Sequence, residues 1–409
     1  MAQLRTAALS LLPLLPLAAC AEGGKADRTT SEVTVTANHN LYGAGGSQGF
    51  TEFPVPASKI GTDRGTFALT ASSDYTITRG TVTSSPTEYA ISSDGSFTLV
   101  VPINNSAPTR FLGAYHQVDA GNKTQAYFFT DRYAPTSAPV VGFFWGTRTV
   151  DPASYMLSDL HGDWFVFTQH AIFTTNPTFN PHNVGRSLGG SVLIAAGSPD
   201  TISGSGTDSS GAPVALTGQV TFNDKTGNLT LALKFGTDQR VFRASHAKNL
   251  ILGLDEDEST GRSGLLGMVK QHDITSASDA RKSLAGDWHF GFHTIFVAPK
   301  NSGVDAANGT LTFDANGGWQ LEGVGSRGPT QGKFSYSGTY EFRRIQTTPT
   351  EVFDNWLTLR VSGTSETWGA AVDADFCVIV LVDNVVESRT TGSPEINLGM
   401  AIRKVVVTK

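Results

Sequence analysis

The sequence is poor in most of the residues that announce a reaction or a nucleic-acid partner. Its 409 residues include two cysteines, Cys20 and Cys377, so there is no disulfide framework. Charged residues form 16% of the chain and nowhere gather into a run of Lys and Arg. With a formal net charge of -6 the chain lacks the basic face that nucleic-acid binding needs. There is no His-Glu-x-x-His zinc helix, no cysteine nucleophile motif and no glycine-rich loop opening a helix as a phosphate cradle. The only long apolar stretch is at the start, and it is too short to span a bilayer.

What is present points to strands. Hydrophobic residues are 39% of the chain, enough to bury real cores, and 44 glycines with many Ser and Thr favour turns and strands over helices. Alternating runs rich in Val, Ile, Thr and aromatics are punctuated by turn sequences such as Ser93-Asp94-Gly95, Lys225-Thr226-Gly227-Asn228 and Asp314-Ala315-Asn316-Gly317.

One phrase is written twice. Leu-x-Gly-Asp-Trp occupies Leu160 to Trp164 and again Leu284 to Trp288. Each copy follows a short helical stretch, "DPASYMLSDL" or "ITSASDARKSL", and is followed by His-x-Ile-Phe, at His170 to Phe173 and His293 to Phe296. Matching strands then follow in one order: "TGQVTF" with "SGTYEF", "NLTLALKF" with "WLTLRV", "NLILGLDED" with "FCVIVLVDN". Both copies close on Leu-Gly-Met, which predicts that Gly267 superposes on Gly399. A diverged copy precedes them, without Gly-Asp-Trp. The expected fold class is all-β: three tandem antiparallel modules of about eight strands each, at residues 33–150, 151–275 and 276–409. Up-and-down barrels are expected, with two-sheet sandwiches as the alternative.

Gly-Asp-Trp at the head of an eight-stranded module resembles the Gly-x-Trp motif of lipocalins and the wider calycin superfamily. That resemblance covers residues 157–405 and implies that the Trp plugs the closed end of a barrel, with a basic residue of the last strand packed on it. Arg403 is placed to serve Trp288, and Lys270 to serve Trp164.

The first twenty residues, "MAQLRTAALSLLPLLPLAAC", have a basic start at Arg5, a short apolar core and small residues before Cys20. Leu17-Ala18-Ala19-Cys20 resembles the lipobox of bacterial lipoproteins. The resemblance implies a signal peptide at residues 1–19 and acylation of Cys20, by palmitate-type chains; Ala21 in place of Asp implies the outer membrane. Residues 20–32 then read as a polar tether. Cys377, inside "DFCVIVLVD", reads as a small buried hydrophobe.

The candidate ligand-contacting residues are Trp164, His170, Trp288 and His293, each with a purely structural alternative. The two histidines could ligate a metal or haem, but a metal site needs three or four ligands and no partner recurs with them, so no metal or cofactor is expected. The two are instead expected to sit far apart. The acidic stretch Asp255 to Ser259 reads as a solvated hairpin tip rather than a calcium loop, and "SGSGTDSSG" as a loop or weak edge strand. The expected function is a non-catalytic outer-membrane lipoprotein whose barrels bind apolar small molecules or lipids. A structural or interaction protein of the cell envelope with solid barrels is the alternative, and a hydrolase with a site between modules the third. The expected partners are the membrane, through the anchor, and an apolar small molecule or an envelope protein.

Overall fold

The computed structural model describes residues 37–47, 60–101, 109–116, 126–131, 140–149, 156–171, 185–222, 227–255, 263–296, 303–325, 332–346, 351–383 and 395–404. They form three closed antiparallel barrels of eight strands in tandem. In each, every strand pairs with the next in sequence and the last returns to the first. Barrel 1 runs from Ala37–Ser47 to Val140–Thr147, which pair with each other. Barrel 2 runs from Gly162–Ala171 to Ser263–Lys270 and barrel 3 from Gly286–Phe296 to Glu395–Arg403. Closure leaves no sheet edge along the ring, which is what sequential short-turn strands achieve when their count allows it. The two-sheet sandwich is therefore not what forms.

The interiors are filled by side chains from alternating positions. In Asn228–Phe235 the buried residues are Leu229, Leu231 and Leu233, and their neighbours face outward. Barrel 1 is packed with aromatic rings: Phe67, Phe97, Tyr115, Tyr127, Phe129 and Phe144 lie in one cluster. His39 joins them, fully buried, donating from Nδ1 to the Phe67 carbonyl (3.3 Å) and accepting at Nε2 from the Tyr115 hydroxyl (2.9 Å). Burial holds its pKa down to about 3, so the ring is neutral.

The barrels also bury their outer walls against one another. Phe128, Phe143 and Trp145 of barrel 1, Phe165, Phe167, Leu252 and Leu265 of barrel 2, and Val378, Val380, Leu398 and Met400 of barrel 3 form a single apolar cluster. This explains the two runs that do not alternate: Leu250–Asp255 and Val378–Asp383 are buried at every position, because one face lines a barrel and the other the shared core. Gly267 marks the junction. A Cβ there would lie 2.8 Å from Val380 of barrel 3 and 3.2 Å from Trp145 of barrel 1, so only a glycine lets the three walls close. Fully burying one large apolar side chain contributes roughly 1.5–3 kcal/mol, so a cluster of this size outweighs the freedom of separate modules. Polar contacts add register: Thr147 to Ser245 at 2.7 Å between barrels 1 and 2, Asn308 to Thr130 at 2.6 Å between barrels 3 and 1, and Ser187 to the Asp383 carbonyl at 2.9 Å between barrels 2 and 3.

Two local expectations fail. The Gly/Ser stretch is not an edge: residues 203–208 lie in Asp200–Asp208, paired on both sides within the wall of barrel 2, and only residues 209–211 form the turn that follows. Asp255 is not at a solvated tip but fully buried; residues 256–259 lie outside the described ones. Cys377 is buried and free of any disulfide.

Candidate functional site

The repeated phrase builds one end of barrels 2 and 3. Before each first strand the chain makes a turn of helix, Leu157–Leu160 or Ala277–Leu284, the second capped by Ser276 on the Asp279 amide. Gly162 (φ +117) and Gly286 (φ +126) then turn the backbone from helix to strand through a conformation that L side chains rarely adopt. The next inward residue is the Trp. Both indoles are fully buried and donate back to the helical turn, Trp164 Nε1 to the Leu160 carbonyl (2.7 Å) and Trp288 Nε1 to the Leu284 carbonyl (3.1 Å). Lys270 Nζ lies 5.6 Å from the Trp164 ring centroid and donates to the Asp159 carbonyl at 2.6 Å. The Arg403 guanidinium lies 5.5 Å from the Trp288 ring and donates to the Ser283 and Ala285 carbonyls, at 2.7 Å for the latter. The cation thus serves the ring face and the orphan carbonyls of the helix end together. Trp164 and Trp288 each close one end of a barrel in this arrangement.

His170 lies on the inner face at the opposite end of barrel 2. Its ring packs on Phe235 (5.5 Å) and Phe242 (5.8 Å), with Nδ1 4.0 Å from the Asp255 carboxylate. Arg240, 1% exposed, closes that end by donating to Asp255 at 2.6 Å and to Asp238 at 3.0 Å. Sequence reasoning missed Arg240 and Asp255. A signal was present: both apolar runs of the repeat end on Asp, at Asp255 and Asp383.

His293 does not share the position of His170. Lys270 lies opposite Trp164 and Arg403 opposite Trp288, so counting along each strand from its Trp sets His293 on Gln169. The identical His-x-Ile-Phe strings are one residue out of register and put their histidines on opposite faces of the wall. Leu-Gly-Met slips likewise: Gly267 is outward at the barrel junction, whereas a Cβ on Gly399 would lie 2.3 Å from the inward Phe292. His293 faces barrel 2, is 2% exposed, and meets Gln169 at 2.6 Å. Desolvation by burial lowers its pKa to about 3. Among the described residues no group of three or more His, Cys, Asp or Glu is placed to hold a metal.

Barrel 3 differs from its neighbour at the end away from Trp288. There a pocket of about 180 Å³ is lined by Phe292, Phe334, Tyr336, Trp368, Asp305 and Asn397 among others. Thr294, two residues on from Phe292, also lines it and donates to the Asn397 side chain at 2.5 Å. None of the four candidate residues read from the sequence lines it.

The sequence matches no protein family and no curated protein. Among solved structures the chain is similar to a single-residue mutant of the vaccine antigen transferrin binding protein B from Haemophilus parasuis, at 9% identity and a TM-score of 0.29, over 92% of this chain and 77% of that one. It is similar to intact Ap-TbpB with its N and C lobes at 9% identity and a TM-score of 0.27, over 91% and 78%. A protein of the DUF3598 family from Nostoc punctiforme gives 12% identity and a TM-score of 0.20, over 61% and 97%.

Proposed function

We propose that this chain is a non-catalytic lipoprotein of the bacterial outer membrane, held by acyl chains on Cys20, that works through the outer surface of one rigid three-barrel body. The observation that carries this reading is the shared apolar core: three barrels whose interiors are packed with side chains, apart from the pocket at one end of barrel 3, also spend their outer walls on one another. Such a body holds its exposed faces in fixed relation, as a protein–protein platform of the envelope needs. Exposed large hydrophobics among the described residues are scattered singly, at Val82, Met156, Leu193 and Ile345, which suits a polar contact surface. This favours solid barrels over barrels that carry an apolar ligand or lipid inside.

Titration of the purified chain with a long-chain fatty acid separates the two. Solid barrels take up none stoichiometrically; one tightly bound acid per chain would restore the lipid-carrier reading. The anchor is tested by Cys20→Ser, which is expected to move the protein from the membrane to the soluble fraction. A second, narrower reading holds for barrel 3 alone, because its pocket is large enough for a small ligand: engineered apolar cavities of about 150 Å³ admit benzene.

A further inference from the structure

The two repeats finish the same end of their barrels in different ways. In barrel 2, Phe242 lies opposite Asp255; in barrel 3, Trp368 lies opposite Asp383. Two residues before these rings stand Arg240 and Glu366, respectively. Barrel 2 therefore supplies its own organic cation, the Arg240 guanidinium, which sits on Asp255 at 2.6 Å at an end walled by His170, Phe235 and Phe242. Barrel 3 supplies an acidic side chain at that position. Glu366 turns to accept the Trp368 indole N–H at 2.7 Å, and Trp368 itself lines the pocket.

The walls of that pocket are aromatic rings set at steep angles. Trp368 meets Phe292 at 5.7 Å and 87°, and Tyr336 at 5.6 Å and 68°; Tyr336 meets Phe334 at 5.9 Å and 51°. Asp305 lines the same space. Its Oδ1 accepts the Ala306 amide at 2.9 Å, and its Oδ2 lies where Gly325 leaves room, 2.7 Å from where a Cβ would be. Ring faces carry negative potential, and several faces around one space recognise a methylated ammonium, whose charge is spread and weakly hydrated.

We propose that the mouth of barrel 3 binds a small organic cation bearing a quaternary ammonium group, with Tyr336, Trp368 and Phe292 as the cage and Asp305 as the adjacent negative charge. This rests on the reading that barrel 3 keeps a ligand-sized opening.

The test uses the full chain with choline and its neutral isostere 3,3-dimethyl-1-butanol, followed by calorimetry or saturation-transfer NMR. The two differ in charge and hardly in shape. Choline is expected to bind on the order of tenfold more tightly, and Tyr336→Leu to weaken choline by a similar factor while changing the binding of the neutral alcohol by less than about twofold. Tyr336→Phe keeps the ring and is expected to keep the affinity. Equal binding of the two probes would overturn the cation assignment and leave the pocket standing, whereas binding of neither would remove the pocket as a site. Free choline and a phosphocholine headgroup offer the same group. Sedimentation of the unacylated Cys20→Ser chain with phosphatidylcholine vesicles that choline reverses assigns the headgroup as the source; choline binding without sedimentation assigns the free cation, and either result supports the site.

Discussion

Gln169 and His293 stand at the same place in two copies of one repeat, 124 residues apart, and are hydrogen-bonded to each other at 2.6 Å. The direction of the bond follows from the neighbours. Gln169 Nε2 donates to the His293 carbonyl at 2.9 Å and to the Ile396 carbonyl at 2.6 Å, which turns the amide oxygen toward the imidazole. An amide oxygen only accepts, so His293 Nδ1 carries the proton. One position, doubled by repetition, has become the polar clasp between barrels 2 and 3.

Removing the Gln169 amide leaves the buried His293 ring N–H without its acceptor and takes a side-chain donor away from the His293 and Ile396 carbonyls. Gln169→Leu is expected to destabilise the chain by about 1–3 kcal/mol, the cost of one unsatisfied buried group. Denaturant titration of the full chain measures it. A change within error would mean that the clasp is hydrated in solution.

The buried imidazoles make the fold acid-sensitive in a definite direction. Burial holds His293 and His39 down to about 3 and His246 to about 4, from an ordinary value of 6.5. Between those values the unfolded chain binds more protons than the folded one. Stability is therefore fully present above pH 6.5 and is lost as pH falls toward 3, by roughly 2 kcal/mol per residue at about pH 5. His293→Gln, which installs the residue the repeat already uses at 169, is expected to flatten this dependence by about one residue's share. Melts across that pH range report it, and an unchanged slope would contradict the assignment.

The lids predict costs in stability. Trp288→Ala is expected to lose about 3–5 kcal/mol, as buried large-to-small changes do. Arg403→Met keeps an apolar stem but drops the contacts to the Ser283, Ala285 and Phe376 carbonyls, and is expected to lose about 1–2 kcal/mol. A variant that loses choline binding while keeping its melting temperature would instead give Trp288 a ligand-binding role.

Gly267→Val places a side chain where Val380 and Trp145 already meet. Overpacking of this kind costs about 1–3 kcal/mol, and here the strain falls on the junction rather than on one barrel. Thermal unfolding of this variant is expected to broaden or divide, while a valine at an exposed position such as Thr217 leaves the transition intact.

Much of a single module was legible in the sequence. Leu-x-Gly-Asp-Trp carried the turn, the strand start and the lid, and it located Lys270 and Arg403 as the cations on the rings. The faces of residues further along were not legible. Strand side chains alternate with a period of two, so one residue of slip between His170 and His293, or between Gly267 and Gly399, reverses inside and outside while the letters still match. The shared core was hidden for a related reason. Leu250–Asp255 and Val378–Asp383 read as buried strands, and periodicity alone does not say that the second buried face belongs to another barrel. Arg240 was invisible because Asp255, the buried one of the two Asp residues it meets, lies on the neighbouring strand, 15 residues away.

The central claim is that three closed barrels form one body around a common core. Differential scanning calorimetry of the full chain tests it most directly, by comparing the calorimetric and van't Hoff enthalpies of unfolding. A single cooperative transition in which the two enthalpies agree is the predicted result. Two or three resolved transitions, each with the enthalpy of one barrel, would contradict it.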